Sequence, residues 1–411
     1  MKFGIFYEHQ LPRNWDKDSE HRLFKQSLDQ IELADKLGFD YAWEVEHHFL
    51  EEYSHSSAPE VFLGAASQRT KNIRLGHGII QLTTNHPARV AEKVATLDLV
   101  SDGRVELGLG EGASVTELHP FNLRFRDKRD VWEDGVRCML PMFWNHGWEY
   151  DGEYFKFPKR AVVPKPLQKP HPPLWVACSQ LDTIRYSAHR GMGALCFKFA
   201  DLNAAKAWVN AYYNTYLHDL EKLCDYKTNP NIAVVSGFMC AETDEEAWQK
   251  ADGWTFFQFA LALYNKEGPF EPGTVNIWER YQEWRQTPAG QKRTGSELIG
   301  SPETIRTRLL ELEAANVDQV ILLNQAGKNS HEDICSSLEM FAKKVMPEFH
   351  GREEVHQQWK KNVLAGDIVL EDIDTEPYNF AARGKPTQTS TRQTTNMIAG
   401  VVGRPSAESL G

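Results

Sequence analysis

Several signatures are missing from this 411-residue chain, and each absence removes a class of protein. No run of about 18 apolar residues occurs, so no segment reads as a membrane-spanning helix. The opening "MKFGIFYEHQ" lacks the apolar stretch of a secretory leader and reads as a first strand, so the protein is expected in the cytoplasm. The six cysteines, at 138, 178, 196, 224, 240 and 335, form no C-x-x-C pair. Reduced thiols filling the core are therefore expected, rather than disulfides. An excess of basic residues is also missing. The formal net charge is −11, which argues against nucleic acid and against anionic membrane surfaces as partners. There is no H-E-x-x-H and no histidine pair at i, i+4, and neither Ser114 nor Ser179 sits in a G-x-S-x-G elbow. The first strand is followed by "EHQLPRNW", without the glycine-rich turn of an open dinucleotide-binding sheet.

What is present is a regular alternation. Hydrophobic residues make up 41% of the chain, enough for a sizeable core, and 12 Trp and 21 Phe supply flat surfaces for a pocket. Strand-like runs occur at residues 2–7, in "FDYAWEV", "NIRLGHGII", "GRVELGLG", "PPLWVACS", "GALCFKF" and "NIAVVSGFMC", and finally in "VDQVILL". Helical patterns separate them. Ser19 caps the first helix and Gly38 ends it, and further helices are expected over residues 59–69, 87–99 and 127–143. Ser301 followed by Pro302 starts the helix of the last unit, with Ile305, Leu309 and Leu312 as its apolar stripe. A later stripe of Ile334, Leu338, Phe341 and Val345 is stopped by Pro347. Eight strand–helix units in strict order fit a closed (β/α)8 TIM barrel over residues 1–350.

Insertions and an extended C-terminal tail lie outside this plan. A hairpin excursion over residues 147–172 turns at Asp151-Gly152, a type I′ signal. The aromatic-rich segment 254–292 is long for a connection and reads either as a lid or as a helix packed on the barrel. Residues 351–411 form a C-terminal extension. From about residue 375 it is rich in Thr, Gly, Ser and Gln, expected to be disordered alone and to serve as an oligomer arm.

In such a barrel chemistry sits where strands exit. The first strand leaves at Glu8 and His9, the second at Glu46, His47 and His48. The third gives Gly78 and then 81–85, the fourth "GLGEGAS", the fifth Cys178 and Ser179. Adjacent histidines on extended backbone point to opposite faces, so His47 and His48 do not readily share one metal ion, and no metal site is expected. Two readings stay open. The histidines are satisfied by hydrogen bonds in a loop, or they exchange protons with an organic cofactor near neutral pH.

The runs "FDYAWEVEHHF", "IRLGHGIIQLTTNHPARVAEKVATLDLVSDGRVELGLGEG", "PPLWVACS" and "GSPETIRTRLLELEAANVDQVILLNQAG" closely resemble the bacterial luciferase-like flavin-dependent monooxygenase family. The resemblance implies a barrel that takes reduced FMN from a separate flavin reductase. With O2 this forms a C4a-(hydro)peroxyflavin that oxygenates a small hydrophobic organic substrate, as hydroxylation or as insertion beside a carbonyl. It also implies a homodimer. Coenzyme F420 is the alternative cofactor, giving a dehydrogenase on the same barrel; a non-catalytic flavin-binding protein is a further alternative. By position, the resemblance makes His47 and His48 the acid–base pair at the flavin edge. It makes Gly78–Ile79 a non-proline cis peptide behind the ring, and it sets Gly110 and Cys178 beside the flavin. Ser179 becomes a phosphate ligand, and Thr183 opens a helix whose amides cradle that phosphate. Glu111 departs from the pattern, because luciferase carries an arginine there that contacts the phosphate. A carboxylate would repel it. Either Glu111 turns away to Arg104 or Arg124, or the phosphate is held elsewhere, or the flavin differs.

Overall fold

The first strand, β1 (Lys2–Tyr7), shows how the chain builds its frame. Phe3, Ile5 and Tyr7 are buried in one apolar cluster with the helices, whereas Phe6 belongs to a second cluster inside the ring of strands. With both faces covered, the strand needs no polar side. A computed structural model describes residues 1–197, 202–291, 297–375 and 377.

The remaining strands are β2 (Tyr41–Glu44), β3 (Arg74–Gln81), β4 (Val105–Gly110), β5 (Trp148–Asp151), β6 (Lys156–Arg160), β7 (Leu174–Cys178), β8 (Gly193–Cys196), β9 (Ile232–Cys240), β10 (Leu298–Gly300) and β11 (Gln319–Gln325). Parallel ladders run β1–β2–β3–β4–β7–β8–β9–β11 and back to β1, closing eight strands into a barrel. The eight expected units are these. β10 is an addition, pairing with the last residues of β9, and β5–β6 is the antiparallel excursion.

Two tryptophans fill the ring. Trp43 and Trp175 meet edge to face with centroids 5.5 Å apart. They fit because glycines face them: a Cβ on Gly76 would lie 2.2 Å from the Trp43 ring, and one on Gly193 2.4 Å from the Trp175 ring. Trp175 Nε1 donates to Glu106 Oε2 at 2.6 Å, and Arg74 pairs with the same carboxylate at 2.5 Å. This plug forms the floor under the barrel mouth.

Helices Ser19–Leu37, Pro59–Ser67, Pro87–Val100 and Lys128–Met139 occupy the expected places. Gly38 ends the first at φ 88°, and Ser301 Oγ accepts from Thr304 N at the start of Pro302–Ala314. Three details differ. Ser19 is the first helical residue, not the cap, and its hydroxyl bonds Asp16. The hairpin turn runs through residues 152–155 rather than a two-residue type I′ loop, because Asp134 accepts the Tyr154 and Phe155 amides and holds the wider turn. Helix His331–Lys344 ends short of Pro347 as expected, but Pro347 itself lies in the first turn of a further short helix, Met346–His350. The aromatic segment forms helices Asp252–Glu267 and Ile277–Trp284. Their Trp254, Phe256, Phe257 and Phe259 join the inner cluster above the ring. Among the described residues no helix is long and apolar enough to cross a membrane.

The C-terminal extension starts as helix Glu353–Ala365, docked on the end of the barrel opposite the strand exits. The expected oligomer arm beyond residue 375 lies outside the described residues except for Pro377. The docking centre is buried Asp318. It accepts from Tyr213 Oη at 2.7 Å, Ile232 N at 2.8 Å and Lys360 Nζ at 3.1 Å, and lies 2.8 Å from His356 Nε2. Burial pushes this carboxyl up, but Lys360 and His356 outweigh it and hold it at about 2. A folded value below the unfolded one means that Asp318 contributes its stability above the ordinary carboxylate range. That contribution is lost as pH falls through about 2. Asp318→Asn strands Lys360, so urea unfolding at pH 7 is expected to show a loss of about 3–5 kcal/mol. A variant within about 0.5 kcal/mol of the parent would refute this role.

Candidate active site

Beyond β2 the backbone stays extended, and its alternation sorts the cluster. Trp43 and Val45 belong to the inner cluster, and His47 follows them toward the barrel axis. There its Nδ1 lies 2.7 Å from Glu117 Oε1 and its Nε2 3.3 Å from Glu8 Oε1. The ring stands edge-on to Tyr53, centroids 5.6 Å apart. Glu46 and His48 take the other side. His48 Nε2 is 3.0 Å from Glu46 Oε1, and Glu46 is fixed by Gln81 N at 2.9 Å and Asn85 Nδ2 at 2.8 Å. His48 faces Phe49 and Phe121 and lines a cavity of about 90 Å³ with Glu60, Asn85 and Lys93, between helices Pro59–Ser67 and Pro87–Val100. The two histidines serve different compartments, as their adjacency requires.

Glu117 was not among the expected residues, yet its signal is in the chain. "SVTE" directly after the glycine-rich exit of β4 is a capping pattern. Ser114 Oγ accepts from Glu117 N and donates to Glu117 Oε2 at 3.0 Å. Ser114 is thereby a structural hydroxyl. Gln81 Nε2 donates to Glu117 Oε1 at 2.9 Å and to Glu46 O at 2.9 Å, joining the two histidine sites.

The electrostatics separate the histidines further. Burial pulls His47 down, but Glu117 and Glu8 together push it well above its ordinary range. Burial pushes Glu117 up, and His47 more than reverses it. Tyr53 is held as a phenol by burial and by Glu8. His47 is therefore held toward the imidazolium, with both nitrogens facing carboxylates. His48 has one nitrogen committed to Glu46, and its Nδ1 makes no hydrogen bond among the described residues. Of the two rings it is the less constrained, oriented from one nitrogen only.

The other expected site residues are partly regrouped. The β3–β4 register shifts between His77 and Ile80, so the chain swings at Gly78–Ile79. That bond is trans, not the expected cis; the swing is made by the bulge. Ile79 lies flat across Gly110, where a Cβ would meet its Cδ1 at 2.5 Å. Cys178 does not face the mouth. It lies in the outer cluster with Sγ 3.3 Å from Thr183 O, because strand alternation sends its neighbour Ala177 inward. Ala177 is exposed, so the ring is open above Trp175. Ser179 is half-buried beyond it. Thr183 does open helix Leu181–His189, but its hydroxyl is occupied by the capping box with Gln180 and is not free for a ligand.

Glu111 turns neither to Arg104 nor to Arg124. Arg104 is buried on Ser101 O, Ile73 O and Ser67 O, and Arg124 pairs with Asp127. Glu111 pairs with Arg129, and with Lys128 at 3.6 Å, both from the first turn of helix Lys128–Met139. Arg129 stacks 4.0 Å over the Tyr186 ring of the neighbouring helix. Glu52 was also unforeseen. Buried beside the histidine loop, it accepts from Ile277 N at 2.6 Å and Trp278 N at 3.1 Å, fastening the aromatic helices to that loop.

Because the folded value of His47 is raised, its ion pairs contribute fully below the unfolded value of about 6.5. Their contribution is lost as pH rises through the folded value. NMR of labelled imidazoles is expected to place the His47 midpoint above the ordinary imidazole range, and Glu117→Gln to bring it down. An unshifted His47 midpoint in the parent chain would contradict the bracketed geometry.

Comparison with known proteins agrees with this architecture. The family pattern described as luciferase-like monooxygenase matches residues 1–319. The oxygenase component of the flavin-dependent trigonelline monooxygenase of Acinetobacter baylyi is 27% identical over 360 residues, covering 85% of this chain and 96% of that protein. The monooxygenase RslO1 of Streptomyces bottropensis superposes with a TM-score of 0.70 at 24% identity, over 85% of this chain and 100% of that one. The oxygenating constituent of 3,6-diketocamphane monooxygenase from Pseudomonas putida, solved with FMN, gives 0.64 at 18% identity over 84% and 98%. With the eight-stranded barrel and the paired histidines at its mouth, these matches identify the chain as a member of the luciferase-like monooxygenases, a family of oxidoreductases.

Proposed function

We propose that this protein is the oxygenase component of a two-component system, taking reduced FMN from a separate reductase and using O2 to oxygenate a small organic substrate. The observation that carries this reading is the imidazolium of His47, bracketed by two carboxylates beside a flat wall of Ile79 on Gly110. The trigonelline relative, itself named an oxygenase component, supports the division of labour.

The residues present fit a flavin. A flat ring has Ile79 and exposed Ala177 to rest against. For its phosphate, Lys128 and Arg129 outnumber Glu111, leaving a positive excess against Tyr186 of helix Leu181–His189. Burial holds Lys128 below its usual range, so Arg129 is the dependable cation. Bound and reduced, the flavin supplies the electrons that activate O2. His47 holds a proton at the barrel axis, and His48 with Glu46 exchanges protons on the outer side. The helices Asp252–Glu267 and Ile277–Trp284, fastened through Glu52, exclude water from the mouth.

Mixing the chain with reduced FMN, air and candidate substrates is expected to give saturable flavin binding and oxygen consumption coupled to oxygenated product. Anaerobic reduction of F420 by an alcohol, with no oxygen chemistry, would overturn the reading. Arg129→Ala is expected to weaken FMN binding about tenfold or more while leaving riboflavin binding unchanged, since only FMN carries the phosphate. Equal losses for both flavins, read by fluorescence titration, would move the phosphate elsewhere.

A further inference from the structure

At the exit of β1, Glu8 is 1% exposed, and only one of its oxygens has a partner by geometry. Oε1 lies 3.3 Å from His47 Nε2, while Oε2 makes no hydrogen bond of good geometry among the described residues, although the Tyr53 hydroxyl also faces this carboxyl. A buried carboxylate oxygen without a donor costs free energy unless something satisfies it. The charges do not close either. His47 is shared between Glu8 and Glu117, so one imidazolium answers two carboxylates.

Beside Glu8 runs an arc of rings. Phe6, two residues earlier on β1, meets Phe197 at 5.5 Å; Phe197 meets Phe257 at 5.8 Å; Phe257 meets Tyr53 at 5.4 Å; and Tyr53 meets His47 at 5.6 Å. An uncompensated carboxylate beside aromatic faces, in a site covered from water, is the chemistry that holds an organic cation. A purely apolar substrate would leave Oε2 orphaned and the excess negative charge unanswered.

We propose that Glu8 selects the substrate class: a small, flat organic molecule carrying a cationic nitrogen, seated against the Tyr53–Phe257–Phe197 rings with its charge toward Glu8 Oε2. This rests on the reading of the barrel mouth as the substrate site and adds the charge that the substrate must carry. Glu8 touches the bound molecule through that oxygen, and through Oε1 it also helps hold His47 protonated.

The test titrates the full chain calorimetrically with N-methylpyridinium and with toluene, its neutral counterpart of the same shape, with and without oxidised FMN. The cation is expected to bind about tenfold tighter or more than toluene. Glu8→Gln is expected to erase that preference by weakening the cation and not toluene. Equal affinity for the two probes, binding of neither, or a preference that survives Glu8→Gln would overturn the proposal. Should Glu8→Gln fold poorly, the two-probe comparison on the parent decides. FMN titration alone tests the oxygenase reading, so its failure is distinguishable: a chain that binds no FMN yet prefers the cation refutes the first reading and keeps this one.

Discussion

A single proton on His47 ties together three strand exits. Glu8 ends β1, His47 extends β2 and Glu117 follows β4, and the imidazolium attracts both carboxylates toward one point on the barrel axis. Without that proton, two buried acids would face each other across a neutral ring, and the loops carrying them would be pushed apart. Much of what surrounds the site follows from this constraint. Gln81 is held because Glu117 is fixed, Glu46 is held because Gln81 presents its amide, and His48 is oriented because Glu46 is in place. A network joined this way resists substitution one residue at a time, since each member satisfies its neighbour's buried polar atoms.

The frame beneath it is set by volume, not by charge. Gly76 and Gly193 make room for two indoles, and the indoles in turn make a floor on which a mouth of fixed depth can stand. Above, the aromatic helices share one apolar cluster with the barrel interior, and Glu52 binds their turn to the histidine loop. Cover and histidine loop are therefore fastened to each other.

The alternation of strands and helices was plain in the sequence because parallel strands covered on both faces read as continuous apolar runs punctuated by helix caps. Ser301-Pro302 and Gly38 marked boundaries by local chemistry alone. The opposition of His47 and His48 was legible for the same reason, as a period of two. That period also places Cys178 out of the mouth and Ala177 in it, a distinction that position-by-position resemblance passed over. What escaped the sequence is pairing at long range. Nothing local tells that Glu111 meets residues 128 and 129, that Glu8 meets Glu117 across a shared histidine, or that Glu52 caps a helix more than two hundred positions away. The swing at Gly78–Ile79 was read as a peptide-bond isomer, whereas the backbone accomplishes it as a bulge.

The mouth is electrically two-sided. Where β1 and β2 exit, Glu8 shares His47 with Glu117 from beyond β4; in the first turn of helix Lys128–Met139, Lys128 and Arg129 outnumber Glu111. Ile79 and Gly110 add an uncharged strip at the exits of β3 and β4. A phosphate-bearing cofactor brought to such a mouth would be drawn by its tail to one side and repelled from the other, and an organic cation would sort in the opposite sense. The two ligands of the proposed reaction would then occupy the mouth without competing for either pole. Glu111 fits that arrangement better than the arginine expected at its position. As a carboxylate it holds Arg129 and Lys128 in place when no phosphate is bound, and it does so without adding to the acid excess on the far side.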